Sequence, residues 1–232
     1  DTISTDEENR FTEDDVITAL EAYNENFILE FSHNEVAGGK GSIVDQMPGG
    51  YEEKFANLRL LYGCMMTHPG KKLLFMGQDF GQEREWSEAR ELDWYLLAEP
   101  LNKGMKNYVG ELLKVYRQYP CLYQIDDDWS GFEWMNADDK ERSIYSFVRR
   151  TKDGKQHMLF VMNLTPVEYP KFRVGVPMKT KYKLLLNSDD VRFGGNGNKF
   201  PKEMTARKGK CDGRDQYLEF ALPPLTAAVY IF

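Results

Sequence analysis

Two short stretches of this 232-residue chain hold residue types able to do chemistry on a polar substrate. The first is Ser32-His33-Asn34-Glu35, directly after the apolar run Phe27-Ile28-Leu29-Glu30-Phe31. The second is Gly77-Gln78-Asp79-Phe80-Gly81-Gln82, after Lys71-Lys72-Leu73-Leu74-Phe75-Met76. Breaking or transferring a sugar acetal takes two carboxylates on opposite sides of the bond. A third acid can stabilise positive charge developing at the anomeric carbon. Glu35 and Asp79 are acids of that type, His33 could hydrogen-bond a sugar hydroxyl, and Asn34 offers an amide where such a scheme wants a carboxylate. Trp86 and Trp94 could supply flat faces for a pyranose. Plainer readings stand beside these. His33 and Asn34 can simply cap a strand end and organise a loop. Trp94 reads better as core beneath the loop, and Lys40 and Arg59 as solvent-facing or ion-paired residues.

Other chemistries find less support. His33, His68 and His157 are the only histidines and lie far apart, so no zinc-type pair is present. The acidic run Asp126-Asp127-Asp128 lacks further ligand spacing and reads as a solvated turn rather than a calcium site. No glycine-rich loop follows a strand and opens a helix at dinucleotide-binding spacing. No metal and no cofactor is therefore expected.

The elements that must hold these residues fall into two textures. Acids after Thr12 and apolar residues at Val16, Ile17, Leu20 and Tyr23 predict a helix over 13–23. A strand follows at 27–31, then a Gly-rich loop, a helix over 51–67 ended by Pro69-Gly70, a strand over 71–76, and a helix over 102–118. This is βα alternation with parallel strands covered by helices. Near Pro120 the helical period fades. Short strand-like segments appear at 143–148, 157–163, 181–187, 216–220 and 227–231, separated by turn-rich pieces such as Asp153-Gly154 and Gly194-Gly195-Asn196-Gly197. Residues 121–232 thus read as an antiparallel β-sandwich, and 1–120 as part of an α/β unit. Two parallel strands leave open edges and too few neighbours for a stable layer. More strands are expected outside this sequence, and the chain, which lacks an initiator Met, is expected to begin inside a longer protein.

Composition narrows the partners. The formal charge is −7, and the basic residues occur as dipeptides such as Arg149-Arg150, so no nucleic-acid footprint is expected. No apolar run reaches the roughly 18 residues of a membrane span, and the polar, acidic start is no signal peptide. Three cysteines make no disulfide framework and fit a reducing, cytoplasmic setting.

Long blocks then carry a resemblance: FSHNEVAGGKGSIVDQMPG (31–49), KFANLRLLYGCMMTHPGKKLLFMGQDFGQEREW (54–86), LDWYLL (92–97), GFEWMNADDKERSIYSFVRR (131–150) and LLLNSDDVRFGGNG (184–197). Over nearly its whole length the chain resembles the C-terminal third of bacterial-type 1,4-alpha-glucan (glycogen) branching enzymes, in the alpha-amylase superfamily. The resemblance implies the last quarter of a (β/α)8 TIM barrel, with strand seven at 27–31 and strand eight at 72–76, followed by an all-β domain. Barrel strands one to six are then expected upstream in the parent protein or as a covering partner. It implies a retaining transfer to a glucan 6-hydroxyl, with glycogen, amylose or amylopectin as substrate. The family's nucleophile Asp and acid Glu have no counterpart here, and its transition-state-stabilising Asp falls on Asn34. His33 matches a sugar-binding histidine, and Glu35, Asp79 and Trp86 join it as expected substrate contacts. The chain alone is expected to be inactive. The alternatives are a non-catalytic α-glucan-binding homologue and a related amylase-superfamily hydrolase or debranching enzyme.

Overall fold

The computed structural model describes residues 28–137, 139 and 142–232. The helix expected over 13–23 lies outside them. Strand β1 (Ile28–Phe31) pairs in parallel with β2 (Lys71–Leu74), in the register Ile28 to Lys71 through Phe31 to Leu74. Between them run the single-turn α1 (Ile43–Gln46) and the long α2 (Tyr51–Thr67). α2 starts where Glu53 accepts a hydrogen bond from the Gly50 amide at 2.8 Å, with Glu52 and Glu53 in the positive first turn. It buries Phe55, Leu58, Leu60, Tyr62, Met65 and Met66, residues that point several ways around its axis. A helix apolar on more than one face has neighbours on more than one side. α3 (Pro100–Gln118) opens on Pro100, whose missing N–H would be unpaired there anyway, and buries the single stripe Met105, Tyr108, Val109, Leu112 and Val115.

Two antiparallel sheets follow. The larger has the order β3 (Phe132–Asn136), β4 (Ile144–Arg150), β5 (His157–Asn163), β11 (Thr226–Ile231), β7 (Lys181–Asn187) and β8 (Glu203–Thr205). The smaller has the order β6 (Tyr169–Gly175), β10 (Arg214–Leu222) and β9 (Arg207–Cys211). The larger sheet is covered on both faces. Phe147, Met158, Phe160, Met162 and Val229 pack with Leu58, Tyr62, Tyr108 and Leu112 of the helices. Alternate residues Ile144, Val148, Leu159, Val161 and Ala228 pack with Phe172, Val174, Leu218 and Phe220 of the smaller sheet. Two-sided burial explains why β4 and β5 are nearly continuous apolar runs instead of alternating ones.

An α/β region and an antiparallel β-sandwich are therefore both present, as expected. Four strands were not expected: β3, β6, β8 and β9. β6 carries Pro170 and alternates Lys171 and Arg173 outward with Phe172 and Val174 inward, so it lacks an apolar run. β2 ends two residues before Met76, where the Gln78 side chain takes the Phe75 amide (2.8 Å) that would otherwise continue the ladder. The outer side of β2 leaves Leu73 exposed, and Met76 beyond it is exposed too.

Candidate functional site

The candidate residues gather beyond the C-terminal ends of β1 and β2. After Phe31 the chain enters one 3-10 turn, His33–Glu35. Ser32 caps it, its Oγ accepting from the Asn34 amide at 3.3 Å. The capping expected of His33 and Asn34 thus falls to Ser32. His33, Asn34 and Glu35 are all exposed. Three consecutive carbonyls of this turn are held from elsewhere. Lys40 Nζ donates to Asn34 O at 2.6 Å, Gln46 Nε2 to Glu35 O at 2.7 Å, and the Trp86 amide to Val36 O at 3.1 Å. The glycine loop behind the turn is tied by the Gly39 amide, which donates to Glu85 Oε1 at 2.7 Å.

The second stretch is anchored more deeply. Gly77 adopts a left-handed φ of 80°, reversing the chain after β2. Gln78 is buried, and its carbonyl accepts from the Tyr62 hydroxyl at 3.1 Å. Gln82 is also buried; its Oε1 accepts from the Asp93 amide at 3.0 Å, and Asp93 pairs with Arg84. The hydrogen bond from Arg84 holds the Asp93 carboxyl below its ordinary pKa. Asp79 is ion-paired with Lys106 of α3. Gln82 therefore acts in the scaffold, while Asp79 stays partly open.

Aromatic rings join the two stretches. Phe75 lies 6.1 Å from the His33 ring and 5.1 Å, edge-on, from Trp86. Trp86 is half-buried, packs on the helix-side core and lines a cleft with Val36, Met76, Gln78 and Arg84. The enclosed part of that cleft is about 10 Å³, room for one water. A sugar ring would have to lie over its rim. Trp94 corrects an expectation: it is 51% exposed, tilted against Phe80 at 5.4 Å, and does not fill a core. It sits on a short 3-10 segment, Trp94–Ala98, whose turn carries it outward.

For Arg59 the ion-paired alternative holds and the solvent-facing one does not. Arg59 is 2% exposed, donates through Nη1 to Phe193 O at 3.3 Å and lies 4.0 Å from Asp189. The acidic run proves to be divided. Asp126 is partly buried and bonds to Lys71 (2.8 Å) and Arg149 (3.0 Å), while Asp128 caps the next turn through Ser130. Burial raises the Asp126 carboxyl, but these two cations bring it below its ordinary pKa. Among the described residues no cluster of His, Cys, Asp and Glu could hold a metal ion, and no helix is long and apolar enough to cross a membrane. The sequence reading missed the roles of Lys40, Gln46 and Glu85. The one available signal was position, since all three flank the candidate turns.

Comparison with known proteins defines the class first. Residues 134–232 match the family model described as alpha amylase, C-terminal all-beta domain. That stretch covers nearly all of both sheets. The particular relatives are bacterial proteins named 1,4-alpha-glucan branching enzyme GlgB. The chain is 56% identical to that of Butyrivibrio fibrisolvens over 94% of this chain and 34% of the relative. It is 48% identical to that of Geobacillus stearothermophilus over 90% of this chain and 33% of the relative. It is 47% identical to that of Rubrobacter xylanophilus over 91% of this chain and 29% of the relative. The resemblance read from the sequence is borne out, and the chain spans about a third of the length of the curated relatives it matches.

Proposed function

We propose that this chain is the C-terminal portion of a 1,4-alpha-glucan branching enzyme. Residues 1–120 would carry strands seven and eight of its (β/α)8 barrel and 121–232 its all-β domain. The observation that carries this is colinear identity of up to 56% over nearly the whole chain. The parallel pairing of β1 with β2 through a helical crossover supports it, as do candidate residues grouped at the C-terminal strand ends, where such barrels place their sites.

In this reading the substrate is an α-glucan, and the nucleophile and general acid come from barrel strands not in this sequence. Asn34 occupies the position of the acid that stabilises positive charge at the anomeric carbon. His33, Glu35 and the rim residues Asp79 and Trp86 contact sugar. An amide at position 34 keeps shape and hydrogen bonding but lacks the charge that matters most in the transition state.

The test is a hybrid enzyme: the first two thirds of the Butyrivibrio relative joined to this chain carrying Asn34→Asp. New alpha-1,6 linkages in amylose, seen by their anomeric proton resonances, are expected. Release of short oligosaccharides without new linkages would favour a hydrolase. Asn34 itself favours a second reading, a non-catalytic glucan binder. That reading expects retention of the unaltered chain in glycogen-containing gels, with no turnover by either form of the hybrid.

A further inference from the structure

The turn that carries Asn34 is exposed, yet its main chain is unusually well held. The Glu35 and Val36 amides donate inward, to Ser32 O at 3.2 Å and His33 O at 3.1 Å. The carbonyls of Asn34, Glu35 and Val36 accept from Lys40, Gln46 and Trp86 respectively, donors belonging to three separate pieces of chain. Exposed loops ordinarily leave such groups to water and pay for it in mobility.

Of the three donors only Lys40 is charged, and it grips the residue whose side chain the proposed reaction needs. A charge-assisted hydrogen bond is about twice as strong as a neutral one, and 2.6 Å is a short contact. The lysine reaches back because its loop doubles over. Gly38, Gly39 and Gly41 take φ values of 78°, 90° and 78°, a left-handed run that side chains resist. Glu85 then fastens that loop through the Gly39 amide, next to Trp86, which holds Val36. This one set of bonds joins the turn to Glu85-Trp86, the segment that follows the second stretch.

We propose that Lys40 is a positioning residue for the side chain at position 34, acting through that residue's main-chain carbonyl, with Glu85 holding the loop that carries it. The role of position 34 rests on the functional reading above. The geometry of the turn does not. Lys40 touches no reacting atom in this scheme. It fixes the direction in which residue 34 leaves the backbone, and misplacement by about 1 Å can cost a reaction a hundredfold.

Two measurements separate the claims. In the 232-residue chain, Lys40→Met keeps most of the stem and removes the donor. Hydrogen exchange at the Glu35 and Val36 amides is expected to speed up about tenfold, with the amides of Leu159 and Val161 and the melting temperature unchanged. Lys40→Arg is expected to restore slow exchange. In the hybrid with Asn34→Asp, Lys40→Met is expected to lower kcat tenfold or more while KM moves less than about twofold, and Lys40→Arg to recover to within about threefold. Unchanged exchange in Lys40→Met overturns the proposal whatever the hybrid does. Faster exchange with unchanged kcat overturns it too, because the turn's order would then not matter to residue 34. A hybrid inactive with Lys40 intact overturns the functional reading instead, and the exchange data alone then decide whether Lys40 anchors the turn.

Discussion

The larger sheet and the candidate site are held by different forces. The sheet sits between two apolar layers: the Phe160 and Phe147 rings meet, tilted, at 5.0 Å on the helix side, while Leu159 and Val161 face the smaller sheet. The turn at Ser32–Val36 buries only Val36 and is fixed by polar contacts to its own backbone. Hydrophobic burial is large and non-directional, while hydrogen bonds are small in net energy but directional. The sheet therefore carries stability, and the turn carries geometry.

Substitutions can break that contrast. Phe160→Ala should cost the most, about 4 kcal/mol in urea unfolding, because it opens a cavity between sheet and helices. Glu35→Gln, on the exposed turn, should stay within about 0.5 kcal/mol. Equal losses from the two would abolish the distinction.

Arg149 is the intermediate case, a polar anchor inside the apolar region. It is 1% exposed and donates to the carbonyls of Gly131, Thr67 and Ile125 and to Asp126. It thereby ties the end of α2 to the segment leading into β3. Arg149→Met should cost about 3 kcal/mol, since it leaves several buried acceptors unpaired. A melting temperature unchanged in this variant would show that the apolar contacts alone join helices and sheet.

A smaller effect concerns Lys72, beside Arg149. Burial first, and the Arg149 charge next, lower its pKa to about 7. The unfolded value is about 10.4. A lysine with a lowered folded pKa opposes folding fully below about pH 7 and not at all above about pH 10. Stability should thus rise between those limits. Lys72→Met should flatten this rise in melting curves taken at pH 7 and pH 9. An equally steep rise in the variant would assign it to another group.

The strands that bury both faces were legible in the sequence because their apolar residues are continuous. β5 falls at 157–163, where it was expected; β7, at 181–187, was legible from Tyr182 and the run Leu184-Leu185-Leu186 although Lys181 and Lys183 are exposed. β6 and β9 were hidden because Lys171, Arg173, Arg207 and Lys208 interrupt them, which suits the outer sheet but mimics loop. At the site, residue types marked His33, Asn34 and Glu35. Nothing local showed that Lys40, Gln46 and Trp86 converge on three adjacent carbonyls, because long-range backbone contacts leave no periodic trace. The Trp94 expectation failed for a related reason. Side-chain type gives a prior for burial, and the neighbouring elements decide it.

The central claim is that the Ser32–Val36 turn belongs to a branching-enzyme site built for a carboxylate at position 34. Branch formation in amylose by the hybrid enzyme, compared between Asn34 and Asn34→Asp, tests it most directly. The claim predicts new alpha-1,6 linkages from the Asn34→Asp form at a rate about a hundredfold or more above the Asn34 form. Equal rates from the two forms, or a folded hybrid that makes no branches with either residue, would contradict it.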